Sequence, residues 1–240
     1  MVSDKEFSEL IEHLILETIE ESALRGFNLD QFQKLGTVQD KLVYAKKFLP
    51  FIGEGSARKV FAISTSKVLK IAKNTRGVAQ NQTEYKFFKN PKTGPIVAKI
   101  FSADIPTMTW VISEIAKPFR YIKELEAVTG VDYYVLQNLL DDFPVRDFPN
   151  AEAWFEETQE FWTQMLQSPG LTPQSKEKMT SRIKQYEAYK NNKFLTGVLN
   201  LVKQGLIAGD LTFDQMGITA DGRPIVIDYG FDREVEELYY

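Results

Sequence analysis

No cysteine occurs in the 240 residues. A disulfide framework, a thiol nucleophile and a thiolate zinc site are therefore excluded. Histidine is almost as scarce: the single one, His13, falls in a helical, surface-type stretch, so neither a histidine triad nor a multi-histidine metal site is expected. No apolar run reaches membrane-spanning length, and the first residues lack the basic-then-apolar pattern of a secretory signal. The expected setting is a cytoplasm, with no membrane partner. A basic excess is missing too, since the formal net charge is −4, and nucleic acid is not an expected partner. What is present is ordinary for a soluble globular protein: 43% hydrophobic and 26% charged residues, and enough length for one large domain or two lobes.

Ser3-Asp4-Lys5-Glu6 has capping-box form, and Phe7, Leu10, Ile11 and Leu14 recur at helical spacing up to Gly26. A second helix is expected from Thr37, with Asp40 three residues on, carrying Val38, Leu42 and Ala45 inward and ending before Pro50. Two amphipathic helices need somewhere to bury their stripes, either on the rest of the chain or on a protein assembly partner.

From Phe51 the apolar period changes to that of strands. Residues 51–61 read as strand, glycine turn, strand, with Gly53, Gly55 and Ser56 in the turn and Arg58 just beyond it; Val68-Leu69-Lys70-Ile71-Ala72 is a third strand. Glycines let a backbone approach phosphate oxygens and offer N–H groups to them. Lys70, flanked by Leu69 and Ile71, needs a counter-charge or an anionic ligand. Lys73 lies past the strand, where solvent is expected. A helix over 78–90 supplies Glu84, with Phe87 and Phe88 to dock it. Strands are expected over 96–102 and 108–115, completing a five-stranded antiparallel sheet. Helices then follow over 119–128, 133–140, 151–167, 176–189 and 194–203, the last with one apolar face. Trp154, Phe155, Phe161 and Trp162 read as core rather than as a base-stacking platform, because the segment is acidic.

The stretch from Gly205 to Asp232 contains two acids that stand out, Asp210 and Asp228. Between them Ala220-Asp221-Gly222-Arg223 is turn chemistry and Pro224-Ile225-Val226-Ile227 is an apolar run of strand length. A hairpin there folds the two carboxylates back toward each other, an arrangement suited to Mg²⁺ and to proton handling.

In their order along residues 51–232 these features resemble the protein-kinase-like superfamily. Gly53, Gly55, Ser56 and Arg58 match its glycine-rich loop, with Arg58 where the third glycine would stand. That arginine would either clamp nucleotide or obstruct it. The resemblance makes Lys70 and Glu84 the phosphate-orienting pair and Asp210 the catalytic-loop acid. Gln215, five residues on, and Asp228 of Asp228-Tyr229-Gly230 become metal ligands. Glu114-Ile115-Ala116 becomes the hinge, meeting adenine through backbone groups. The implied fold is α+β and two-lobed: a helical extension over 1–50, a sheet lobe over 51–115 and a reduced helical lobe over 116–240. The implied activity is phosphoryl transfer from ATP with Mg²⁺, or Mn²⁺ in its place, to an acceptor, protein or small molecule, that the sequence does not identify.

Gly209 before the catalytic acid, with no arginine there, looks more like aminoglycoside and other small-molecule phosphotransferases than regulated protein kinases. Lys70-Ile71-Ala72-Lys73-Asn74, Ala79-Gln80-Asn81 and the tyrosine-rich end are similar to small kinase-like proteins of large bacteriophages, which implies a host cytoplasm or a virion. Only residues 231–240 follow the Asp-Tyr-Gly, so neither an activation segment nor peptide-binding helices are expected. The alternative expectation is a pseudokinase, a catalytically inactive binding or structural protein, which Arg58 and Gln215 favour.

Overall fold

A computed structural model of the chain describes residues 26–143, 147–227, 229–230, 232 and 235–237, apart from the side chain of Asp210. The helix expected over the first 25 residues, with His13, lies outside the described residues, as does Asp228.

Helix α1 (Leu29–Gln33) is capped by Asn28 and α2 (Val38–Phe48) by Thr37, whose hydroxyl accepts from the Asp40 amide. The strands β1 (Phe51–Glu54), β2 (Arg58–Ser64), β3 (Lys67–Ala72), β4 (Ile100–Ala103) and β5 (Trp110–Glu114) form a sheet in the order β1-β2-β3-β5-β4, antiparallel throughout. The five-stranded sheet is thus as expected. Successive side chains of a strand face opposite ways, and in β3 this sorts the residues by chemistry. Leu69 and Ile71 join Phe61, Trp110 and Ile112 in a cluster with Phe32, Ala45 and Leu49 of the α1–α2 segment. Phe32 meets Trp110 edge-on at 5.5 Å. Lys70 consequently falls on the other face, where helix α3 (Thr75–Lys89) packs.

Some boundaries differ from expectation, each for a local reason. Helix α3 starts at Thr75 because the Asn74 side chain accepts from the Gly77 amide at 3.0 Å. Gly77 then lies so close to the glycine loop that a Cβ would stand 2.3 Å from the Ala57 carbonyl. Residues 94–96 form a 3-10 turn, and Val97 bridges to Val226 rather than to the sheet, so β4 begins only at Ile100. Met108 adopts φ 49° and its amide closes a turn onto the Asp104 carbonyl at 2.6 Å, so β5 begins at Trp110.

Strand β6 (Ala116–Pro118) leads into α4 (Ile122–Thr129), α5 (Tyr133–Asp142), α6 (Ala151–Leu166), α7 (Pro173–Tyr189) and α8 (Lys193–Lys203). The chain then returns as the hairpin β7 (Met216–Thr219) and β8 (Pro224–Val226), and β6-β7-β8 is a second antiparallel sheet. Helix α8 is buried continuously from Phe194 to Val202. That is the signature of a helix with neighbours on every side. Trp154 and Phe155 are core residues that meet Tyr186 edge-on, whereas Phe161 is 52% exposed, which corrects its assignment to the core. This is the α+β arrangement anticipated from the sequence, a five-stranded antiparallel sheet followed by a mainly helical region. Among the described residues no helix is long and apolar enough to cross a membrane.

Candidate active site

The two sheets meet at a cleft of about 710 Å³, within the range of small-molecule sites. Its walls are mainly apolar: Ile52, Val60, Val68 and Ala98 from one side, Ile218, Ile225 and Ile227 from the other, with Ile115, Ala116 and Pro118 along the back. Arg58, Lys70, Glu114 and Lys117 supply charge.

Lys70 Nζ donates to both carboxylate oxygens of Glu84, at 2.9 and 3.0 Å. Glu84 is fully buried. Burial alone would push its carboxyl up, but the Arg58 and Lys70 charges and their hydrogen bonds outweigh this and hold it below its ordinary value. Arg58 is the unexpected partner. Its Nη1 donates to Glu84 Oε1 at 2.7 Å and to Asn81 Oδ1 at 3.3 Å, so the arginine of the glycine motif turns toward helix α3. Sequence reading missed this because it depends on strand register, which sets Arg58 opposite Ala72 and Val60 opposite Lys70. Asn81 is in turn fixed by donating to the Met108 carbonyl at 2.8 Å.

The glycine loop closes with the Gly55 amide on the Arg58 carbonyl at 3.0 Å, and a Cβ at Gly53 or Gly55 would meet nothing within 4 Å. Open space therefore covers both glycines. Residues just before and in the first turn of α3 hold the loop: Lys73 donates to the Gly55 carbonyl at 3.0 Å and pairs with Glu54, and Arg76 donates to the Ser56 hydroxyl. Lys73 is thus a loop anchor on the solvent side, where it was expected.

At the back, Glu114 is held by its side chain as well as its backbone. Its carboxylate accepts from the Lys99 amide at 3.1 Å and from Arg223, whose other amino group donates to the carbonyls of Pro95 at 2.8 Å and Val97 at 3.1 Å. The Glu114 amide is taken by the Lys99 carbonyl and the Ile115 amide by that of Ser66. Ala116 pairs with Thr219, so the expected hinge leads directly into the second sheet.

On the hairpin side, Asp210 ends a 3-10 turn over Ala208–Asp210. Its side chain, like Asp228, lies outside the described residues. The Gln137 side chain steadies the following residue by donating to the Leu211 carbonyl at 3.0 Å. The Ile227 amide donates to the Gln215 carbonyl at 2.8 Å, so the residue preceding Asp228 is tied to the proposed metal amide. Tyr229 is buried, with its hydroxyl donating to the Ala98 carbonyl at 2.8 Å. Burial, and next the Glu84 carboxylate, push that hydroxyl well above the ordinary tyrosine value. Gln215 Oε1 is buried with no hydrogen-bond partner among the described residues. Such an oxygen is costly unless something fills its lone pairs, and an amide oxygen suits a hard cation such as Mg²⁺. Tyr133 borders the same loop, its ring edge-on to Phe213 at 6.1 Å; burial and then Asp214 raise its hydroxyl.

Solved structures similar to the chain are of phosphotransferases. The chain is 18% identical to the protein of the streptomycin–ATP–APH(2")-IIa ternary complex, covering 80% of this chain and 69% of that one with TM-score 0.34. For ADP-bound aminoglycoside phosphotransferase APH(2'')-Ib the values are 16%, 80%, 69% and 0.34. For choline kinase LicA from Streptococcus pneumoniae they are 13%, 81%, 69% and 0.34. No family model and no curated protein matches the chain. Identities and TM-scores this low assign no role to any residue.

Proposed function

We propose that the chain is a phosphotransferase that takes the γ-phosphoryl group of ATP, with Mg²⁺, and passes it to an acceptor hydroxyl. The observation that carries the reading is the buried Lys70–Glu84 pair on the wall of an apolar cleft. A lysine there, fixed by a buried carboxylate, orients phosphates, while the apolar walls suit a purine. Gly53, Gly55 and Ser56 form the loop over the phosphates, and backbone groups of Glu114 and Ala116 face the base. Asp210 is the group that positions the acceptor and takes its proton as the acceptor oxygen bonds to phosphorus and the bond to the departing ADP oxygen breaks. Gln215 and Asp228 are the residues that would hold Mg²⁺, which neutralises phosphate charge when bound. The reading extends to the kinase-like proteins of large bacteriophages and to a host cytoplasm or virion.

Thermal-shift titration with ATP and each of Mg²⁺ and Mn²⁺ tests it. A saturable rise in Tm that depends on the metal is expected. Absence of any shift sinks the reading, and a shift without ATP consumption favours the pseudokinase alternative.

A further inference from the structure

The end of β5 supports an inference that deepens the phosphotransferase reading and rests on it. Residues of an antiparallel strand bond alternately to its two neighbours. The Ile115 amide donates to the Ser66 carbonyl, and the Thr109 carbonyl accepts from the Ala72 amide. The odd-numbered residues of this stretch therefore bond to the β3 side, and Glu114 faces the β4 side. There it stands opposite Lys99, one step beyond the pairing of Ile100 with Ser113. The Glu114 amide donates to the Lys99 carbonyl at 2.8 Å, but the return bond does not go to the backbone. The Lys99 amide donates instead to Glu114 Oε2, at 3.1 Å. Arg223 donates to that same oxygen while holding the Pro95 and Val97 carbonyls. The Glu114 side chain thus takes the ladder place of its own carbonyl, and that carbonyl accepts no hydrogen bond among the described residues.

Glu114 lines the cleft together with Ala98, Ile115 and Ala116. Two residues on, a donor is offered. The Phe119 amide donates to the Met216 carbonyl, so in the β6–β7 ladder Lys117 also faces β7 and Ala116 faces away from it. Strand β6 is at the edge of its sheet, which leaves the Ala116 amide open.

We propose that the Glu114 carboxylate is a positioning residue that sets base specificity: by taking the Lys99 amide it keeps the Glu114 carbonyl open to the 6-amino group of a purine nucleotide. A carbonyl that also took the Lys99 amide would offer the cleft only its second lone pair. The acceptor at Glu114 and the donor at Ala116 match the amino group and the N1 nitrogen of a 6-aminopurine. A 6-oxopurine presents the reverse pattern and would set carbonyl against carbonyl. The carboxylate itself touches no ligand and acts through the backbone.

The test compares ATP with GTP and with purine riboside triphosphate, which lacks the 6-amino group, by calorimetric titration with Mg²⁺. Wild type should bind ATP about tenfold tighter than purine riboside triphosphate, the scale of leaving one buried acceptor unpaired, and GTP more weakly still. In Glu114→Ala the Lys99 amide returns to the backbone carbonyl of residue 114, and the preference for ATP should shrink to about twofold or less. Glu114→Gln keeps a side-chain oxygen for that amide and should keep the preference. A merely structural role would lower all three affinities together; unchanged ratios in Glu114→Ala therefore overturn the proposal, as does a preference equally low in Glu114→Gln. A second measurement needs neither nucleotide nor variant. By NMR, the Lys99 amide nitrogen of wild type should show scalar coupling across its hydrogen bond to the Glu114 carboxylate carbon. Coupling to the Glu114 carbonyl carbon overturns the proposal even if Glu114→Ala does not fold. Equal binding of ATP and purine riboside triphosphate by wild type overturns base selection and leaves the phosphotransferase reading standing. Failure of wild type to bind any of the three overturns both.

Discussion

The two walls of the cleft are built on opposite plans. On the sheet wall every charge near Glu84 has a bonded partner: Lys70 and Arg58 on the carboxylate, Asn81 on Arg58, Met108 on Asn81. On the hairpin wall a buried acceptor, Gln215 Oε1, has none among the described residues. A satisfied network stabilises the fold, and an unsatisfied group lowers stability until a ligand arrives. The network around Glu84 is complete without ligand, and the Gln215 oxygen is poised to receive one.

Replacements on the two walls should therefore fail differently. The largest effect is expected from Asp210→Asn, with ATP turnover falling by about 10²-fold or more while the Tm rise on adding ATP is kept. Turnover equal to wild type would remove the hairpin wall from catalysis. Next comes Gly77→Ala, because the new Cβ would press on the Ala57 backbone carbonyl at 2.3 Å. A loss of about 1–3 kcal/mol in chemical denaturation is expected, as for other overpacked sites, and an unchanged midpoint would show that the helix–loop contact is loose. Asn81→Ala and Gln215→Ala sharpen the contrast directly. Asn81→Ala removes bonds to Arg58 and to the Met108 carbonyl and should cost about 1–3 kcal/mol. Gln215→Ala should leave stability within about 0.5 kcal/mol of wild type and weaken only the Mg²⁺-dependent part of ATP binding. If both variants lose stability equally, the two walls do not differ.

The smallest effect concerns acid. Glu84 has a folded value below its ordinary 4.5, so it binds fewer protons folded than unfolded. Its contribution is present above that ordinary value and is lost as pH falls through the lower folded one. Melting curves between pH 6 and 3 should show a steeper decline for wild type than for Glu84→Gln; parallel declines would contradict the shift.

Much of the sheet wall was legible because Lys70 breaks an apolar strand, and a buried charge demands a partner. Helix α3 had one well-placed acid, Glu84. The role of Arg58 was not legible, since its partner is 26 residues away and is selected by register rather than by local pattern. Helix α1 was missed because five residues carry too little periodicity, and its Phe32 is buried by the sheet rather than by its own helix. The early start expected for β4 failed for a related reason: Val97 is apolar as a strand residue should be, but it pairs with Val226 of the hairpin. Gln215 was singled out through the family resemblance, five residues after Asp210, yet its unpartnered oxygen shows only in three dimensions.

Arg223 sits at the tip of the β7–β8 turn, and it joins the Glu114 carboxylate to two carbonyls more than 120 residues earlier in the chain. Any rotation of one half of the molecule against the other about Ile115 would have to break those bonds together. The guanidinium thus opposes such a rotation and holds the back of the cleft together. A ligand entering such a cleft would surrender little of its binding free energy to closing the protein around itself.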